Sequence, residues 1–172
     1  GFVATTVEDI TNLADVGKGT FFNYFPSKEH VFAARAQGQA ETVERFLAIA
    51  RESNEPMNEL LYELMMTLSE GFEASPAIFQ SIIVAVSSNE VVRRMLAEAL
   101  EQGRKPMVEL VLLGQRRGEI RNDRTPAELA MTFQRAFFGA VFLWSVAPSR
   151  PLADCLKEVS SFLAPPIRKG SE

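Results

Sequence analysis

Residues 126–146 constrain the fold more than any other stretch of this chain. At 3.6 residues per turn, Leu129, Phe133, Ala136, Phe137, Ala140, Val141 and Trp144 form one apolar stripe. Phe138, Phe142 and Val146 add a second apolar face, with Gly139 beside it. A helix that is apolar on both sides has to be buried on both sides. Other helices of the same chain, or of a second copy, must therefore cover it.

The remaining segments supply such helices, and their ends are marked by caps and prolines. Thr6 precedes Val-Glu-Asp with an acid three residues on, as in a capping box, and predicts a short helix from about Val7 to Ala14. Asp15-Val16-Gly17 breaks it, a second short helix runs from Lys18 to Tyr24, and Pro26-Ser27 ends that one. Ser27 is expected to cap a third helix, running to about Arg51, by accepting a bond from its free N–H groups. Asn54-Glu55-Pro56, Ser75-Pro76 and Ser88-Asn89 open three more, each with apolar residues in helical register. Pro106 is expected to kink or split the last of these, because it has no N–H for the carbonyl of Gln102. Gly118 ends that run, Thr125-Pro126 opens the long apolar helix, and a final helix covers about Leu152 to Leu163. No strand alternation of useful length and no internal repeat is present, so the expected class is all-α.

Composition then narrows the chemistry. The lone Cys155 excludes an intramolecular disulfide and, with the single His30, leaves no His/Cys set for a metal; the expectation is no metal and no cofactor. No nucleophile–base pair and no Glu-x-x-His signature stands out, so no catalytic residue is assigned and an enzyme is disfavoured. No apolar run is expected to reach transmembrane length, the start does not read as a signal peptide, and the expected location is the cytoplasm. A formal charge of −4 argues against broad nonspecific nucleic-acid binding but leaves room for a local DNA-reading surface.

The stretch from Val16 to Phe32, VGKGTFFNYFPSKEHVF, points to such a surface. Two short helices joined by a tight turn and followed by a longer one form the core of a helix-turn-helix. Gly17 and Gly19 leave the second helix's start open to phosphates, Lys18 brings charge, and Thr20 and Asn23 can hydrogen-bond. Phe21 and Phe25 fall on the inward face, and Asn23 and Tyr24 on others. A phosphate loop is rejected, since the G-x-x-x-x-G-K-[ST] spacing is absent.

The segment ATTVEDITNLADVGKGTFFNYFPSKEHVF resembles the DNA-binding part of the TetR family of transcriptional regulators, over about Gly1 to Phe32. The resemblance beyond that is limited to helix count and details such as RRGEIR before TPAELA. It implies that Lys18, Gly19 and Asn23 meet base edges, while Thr6, Thr20, Tyr24 and Lys28 hold backbone phosphates. Phe22 stands where the family often has a tyrosine, so any contact there would be apolar. The chain begins at the turn that follows the family's first helix, and Phe2, Ile10 and Phe25 are expected to lack apolar partners as a result.

The resemblance also implies a domain plan. Residues 1–32 form the DNA-binding domain, about 28–51 a connecting helix, and 52–172 an effector-binding and dimerisation domain. Candidate effector residues are Met65, Phe72, Phe79, Ile83, Met107, Leu110, Phe133 and Phe137, with Tyr62, Gln80, Gln134 and Arg135 as polar orienters; the effector would be a small apolar or aromatic molecule. The two last helices are expected to form the homodimer through Phe138, Gly139, Phe142, Leu152, Cys155, Leu156 and Val159. The expected function is a ligand-responsive repressor on a palindromic DNA operator. A helical small-molecule carrier without DNA activity is the alternative.

Overall fold

The computed structural model describes residues 2, 4–70, 72–73 and 75–162, apart from the side chains of Phe32, Ala33 and Ala36. Leu163 lies outside the described residues. Among them the elements are all helices: α1 (Val7–Leu13), α2 (Lys18–Tyr24), α3 (Lys28–Glu52), α4 (Met57–Leu68), α5 (Pro76–Ser88), α6 (Glu90–Arg117), α7 (Pro126–Val146) and α8 (Leu152–Ser161). The all-α class follows.

Local chemistry sets the helix ends. Thr6 accepts from the Asp9 N–H at 3.1 Å while the Asp9 carboxylate accepts from the Thr6 N–H at 2.8 Å, closing a capping box. Thr125 and Glu128 repeat it at α7. Asn89 Oδ1 accepts from the N–H groups of Val91 and Val92, and Gly118 closes α6 with a left-handed φ of 73°. Ser27 behaves differently from expectation. It occupies the cap position of α3, but its hydroxyl donates to Glu29 Oε2 at 2.6 Å and lies 3.0 Å from His30 Nδ1. Those side chains take the hydroxyl away from the backbone.

Pro106 does not split its helix. α6 runs unbroken for 28 residues with Pro106 buried inside it. One lost backbone bond costs about 3 kcal/mol, and the contacts of α6 along α3, α5 and α7 offset it. At Gly103 α6 lies close against α3, where a Cβ would meet the Ala40 backbone in ordinary contact at 3.6 Å.

The core lies between α3, α4, α6, α7 and α8, where Leu64, Met65, Leu110 and Leu156 are fully buried. One expectation about membranes is corrected: by length and composition alone, α7 is apolar enough to cross a membrane. Here Leu129, Phe133, Phe137, Val141 and Trp144 bury its main stripe within the helical core.

The end of α3 is pinned. Arg117 Nη2 donates to the carbonyls of Ala50 and Ser53, the latter at 2.8 Å, where a helix C-terminus attracts a cation. Glu119 accepts from the Met57 N–H at 2.7 Å and so caps α4. Residues 117–119 thus hold the α3–α4 junction in place.

Candidate functional site

The first two helices pack on each other around Phe21, which is 5% exposed and sits edge-on to Phe22 and against Phe25. The turn between them needs one left-handed residue, and Asp15 supplies it at φ 53°, a conformation that a short polar side chain tolerates. Val16 N–H then bonds back to the Thr11 carbonyl at 3.0 Å. This geometry turns Lys18, Gly19, Thr20, Asn23 and Tyr24 outward, all of them exposed, with Tyr24 at 76%. Gly19 has no heavy atom within 4 Å of where a Cβ would stand, so its backbone is open to close approach.

Three expected DNA contacts are already engaged within the chain. Lys18 Nζ is 2.8 Å from Glu8 Oε2. The Thr6 hydroxyl donates to Asp9 Oδ2 at 2.8 Å, and the Thr6 backbone N–H is the first cause holding the Asp9 carboxyl below its usual range. Lys28 is engaged likewise: it donates to the carbonyls of Phe2 and Thr5 at 3.0 and 2.9 Å and lies 4.8 Å from the Phe2 ring centre. A half-buried ammonium beside several carbonyl oxygens turns to them. The partner this gives Phe2 is a cation rather than an apolar group, whereas Phe25 does have an apolar partner in Phe21, with ring centres 5.5 Å apart; Leu13, 93% exposed, is an apolar outlier that helical spacing did not single out.

Two neighbouring cavities lie under α3. The first, about 60 Å³, is walled by Val43, Leu64, Met107, Phe133 and Phe137, with Arg104 and Gln134 as polar groups. The second, about 70 Å³, is walled by Phe72, Phe79, Ile82, Ile83 and Met95, with Arg35 at its edge. Gln39 of α3, Leu96 of α6 and Phe138 of α7 border both.

Six of the candidate effector residues thus line a cavity: Met107, Phe133 and Phe137 the first, Phe72, Phe79 and Ile83 the second. Met65 and Leu110 line neither, being closed inside the core. Of the polar candidates only Gln134 faces a cavity; Gln80 donates to the Ser145 carbonyl at 2.6 Å, Tyr62 packs on the core, and Arg135 is exposed along an outer cleft.

The candidate dimer residues divide as well. Phe142, Cys155 and Val159 reach the surface, together with Leu143 and Val146, which are 68% and 63% exposed. Gly139 is half-buried, with open space where a Cβ would stand. Leu152 and Leu156 are turned into the chain's own core by the contacts of α8 with α4 and α7, and have no surface to offer a second copy. Phe138 faces the cavities. No group of three or more metal-ligating side chains occurs among the described residues.

Against known proteins, residues 1–34 match the family described as bacterial regulatory proteins, tetR family. The chain is 29% identical over 168 residues to the HTH-type transcriptional repressor DhaR of Mycobacterium sp. (strain GP1), covering 96% of this chain and 85% of that protein. It is 27% identical to Thermus thermophilus FadR, a TetR-family repressor solved in complex with lauroyl-CoA, with a TM-score of 0.63 over 95% of this chain and 84% of that one. The fatty acid degradation regulator FadR of Bacillus halodurans shares the fold at a TM-score of 0.77 and 20% identity, over 98% of this chain and 88% of that one.

Proposed function

We propose that this chain, a member of the TetR family of transcriptional regulators, is a ligand-responsive repressor that grips a palindromic operator as a cytoplasmic homodimer and releases it when an apolar effector fills the cavities under α3. The single observation that carries this reading is the position of α3. It begins directly after the exposed helix α2, and its own Gln39, Ala40 and Val43 wall the first cavity.

Lys18, Gly19 and Asn23 read base edges in the major groove, and Thr20 and Tyr24 hold phosphates at its rim. Residues 1–32 act as the DNA-binding unit and 52–172 as the effector-binding and dimerisation unit. Two copies of α2 about 34–36 Å apart would meet successive major grooves on one face of the duplex. A ligand beneath Gln39 and Val43 pushes on α3 between its start and the end held by Arg117. The start swings, the spacing of the two reading helices changes, and the operator is lost. The ligand acts only to the extent that it binds the swung state more tightly. The lauroyl-CoA held by the Thermus thermophilus relative supports an effector with an acyl chain.

Footprinting of the natural protein on DNA flanking its own gene tests this reading. Two protected half-sites with centres about one helical turn apart, lost on adding the effector, are expected. No protected site at any salt concentration would contradict it.

A further inference from the structure

The two cavities under α3 share a wall. Phe138 belongs to both, and it completes a row of rings that crosses from one to the other. Phe72 and Phe79 stand 5.2 Å apart edge to face, Phe79 and Phe138 6.5 Å apart, and Phe138 and Phe137 5.3 Å apart edge to face. Phe72, Phe79 and Phe137 are 2–3% exposed, whereas Phe138 is only half-buried and has space on either side. Gln39 likewise borders both cavities and is tied to the Leu68 carbonyl by a single long bond of 3.3 Å. By contrast, the first cavity has a fixed polar end. Gln134 donates to the Leu100 carbonyl at 3.0 Å and accepts from Arg104 Nε at 3.4 Å. Arg104 takes part in none of the four ion pairs among the described residues, so a half-buried guanidinium faces an apolar cavity without a carboxylate.

We infer that the two cavities are one divided site for an unbranched aliphatic chain ending in a carboxylate, and that Phe138 measures the length of that chain. The inference rests on reading the cavities as the effector site. Arg104 and Gln134 hold the carboxylate through charge-assisted hydrogen bonds. The tail fills the first cavity, which has room for only a few groups. A short chain stops at Phe138. A longer one turns the ring aside, breaks the Gln39–Leu68 bond and enters the second cavity against Phe79 and Ile82. Gln39 sits on α3 and borders both cavities, so a chain confined to the first leaves α3 tethered to α4 through the Leu68 carbonyl, and only a chain that passes the wall frees α3 to swing.

Calorimetric titration with straight-chain fatty acids of six to sixteen carbons, and with the matching alcohols, tests the inference. Release of the footprinted operator fragment is scored in parallel. In the wild type, affinity should rise about fourfold per added methylene, pause over a few carbons, then rise again. Operator release should begin only beyond the pause. Phe138→Ala should give one uninterrupted rise, and Phe138→Leu, which keeps an apolar side chain in place, a shortened pause. Arg104→Gln should weaken carboxylates about tenfold at every length and leave the alcohols unchanged. An unbroken rise in the wild type, or a pause that survives in both Phe138 variants, overturns the inference. Failure of every chain to bind overturns it together with the apolar effector, while operator binding by the ligand-free protein still decides the DNA reading separately.

Discussion

Lys18 and Glu8 join the two short helices through an ion pair of 2.8 Å, with more than half of each side chain exposed to solvent. Lys18, proposed as a reader of base edges, is therefore already paired within the chain. An exposed pair of this kind contributes about 0–1 kcal/mol, so DNA can displace it. In the proposed complex Glu8 would also set a negative charge beside the phosphates. Glu8→Gln is expected to tighten operator binding about two- to fivefold at low salt, within that energy range. The gain should shrink as salt rises. Fluorescence anisotropy with a labelled operator measures it, and weaker binding by the variant would speak against this role for Glu8.

Asn23 and Tyr24 are neighbours with different predicted partners. Asn23→Ala should cost about 1–3 kcal/mol and relax discrimination at one base pair, because an amide reading a base edge carries sequence information. Tyr24→Phe should weaken all operator variants alike, since a phosphate contact does not. Competition among single-base operator variants separates the two patterns.

Stability has a tight spot at Gly114. A Cβ there would stand 2.5 Å from Ile120 Cδ1 and 3.2 Å from Met57 Cε, both in the core. Gly114→Ala is expected to destabilise the fold by about 1–3 kcal/mol through overpacking. Urea denaturation should show a lower midpoint with an unchanged slope. A midpoint equal to wild type would mean that Ile120 can move away freely.

The helix caps predict the acid limb of stability. Asp9 and Glu128 are held below the usual carboxylate range first by the N–H groups of Thr6 and Thr125 and then by their hydroxyls, and Glu29 chiefly by the Ser27 hydroxyl. A carboxyl whose folded pKa is lowered stabilises fully above its unfolded value, about 4. That contribution disappears as pH falls through the folded value. The urea midpoint should thus be level with respect to these groups above about pH 5, where their contribution is complete, and fall below about pH 4. The Asp9→Asn, Glu128→Gln double variant should fall less steeply.

Much of this was legible in the sequence because helix ends are written locally. Thr6 with Asp9, Ser75-Pro76, Asn89, Thr125 with Glu128, and Gly118 each mark a boundary by chemistry confined to a few residues. The outward Asn23 and Tyr24 and the inward Phe21 follow from spacing along one short helix. What spacing cannot give is the distant partner. Lys28 finds the carbonyls of Phe2 and Thr5 more than twenty residues away. Leu152 and Leu156 look like interface residues until α4 is seen to cover them. Phe138 shares an apolar face with Phe142, yet small rotations around α7 send one ring into the cavities and leave the other 40% exposed. Pro106 predicted a kink or a split, but the helix is not split, because the packing of a long helix on three neighbours outweighs one missing bond.

The central claim is that occupation of the cavities under α3 releases DNA from the exposed face of α2. The direct test is an anisotropy titration of the natural protein on its own promoter fragment, repeated across salt concentrations with and without a long-chain fatty acid. The account predicts salt-dependent binding that Asn23→Ala weakens, and a shift to weaker binding of at least tenfold with the ligand present, equivalent to about 1.4 kcal/mol of coupling. Binding that ignores the Asn23 substitution, or an operator complex unmoved by a ligand that calorimetry shows to be bound, would contradict it.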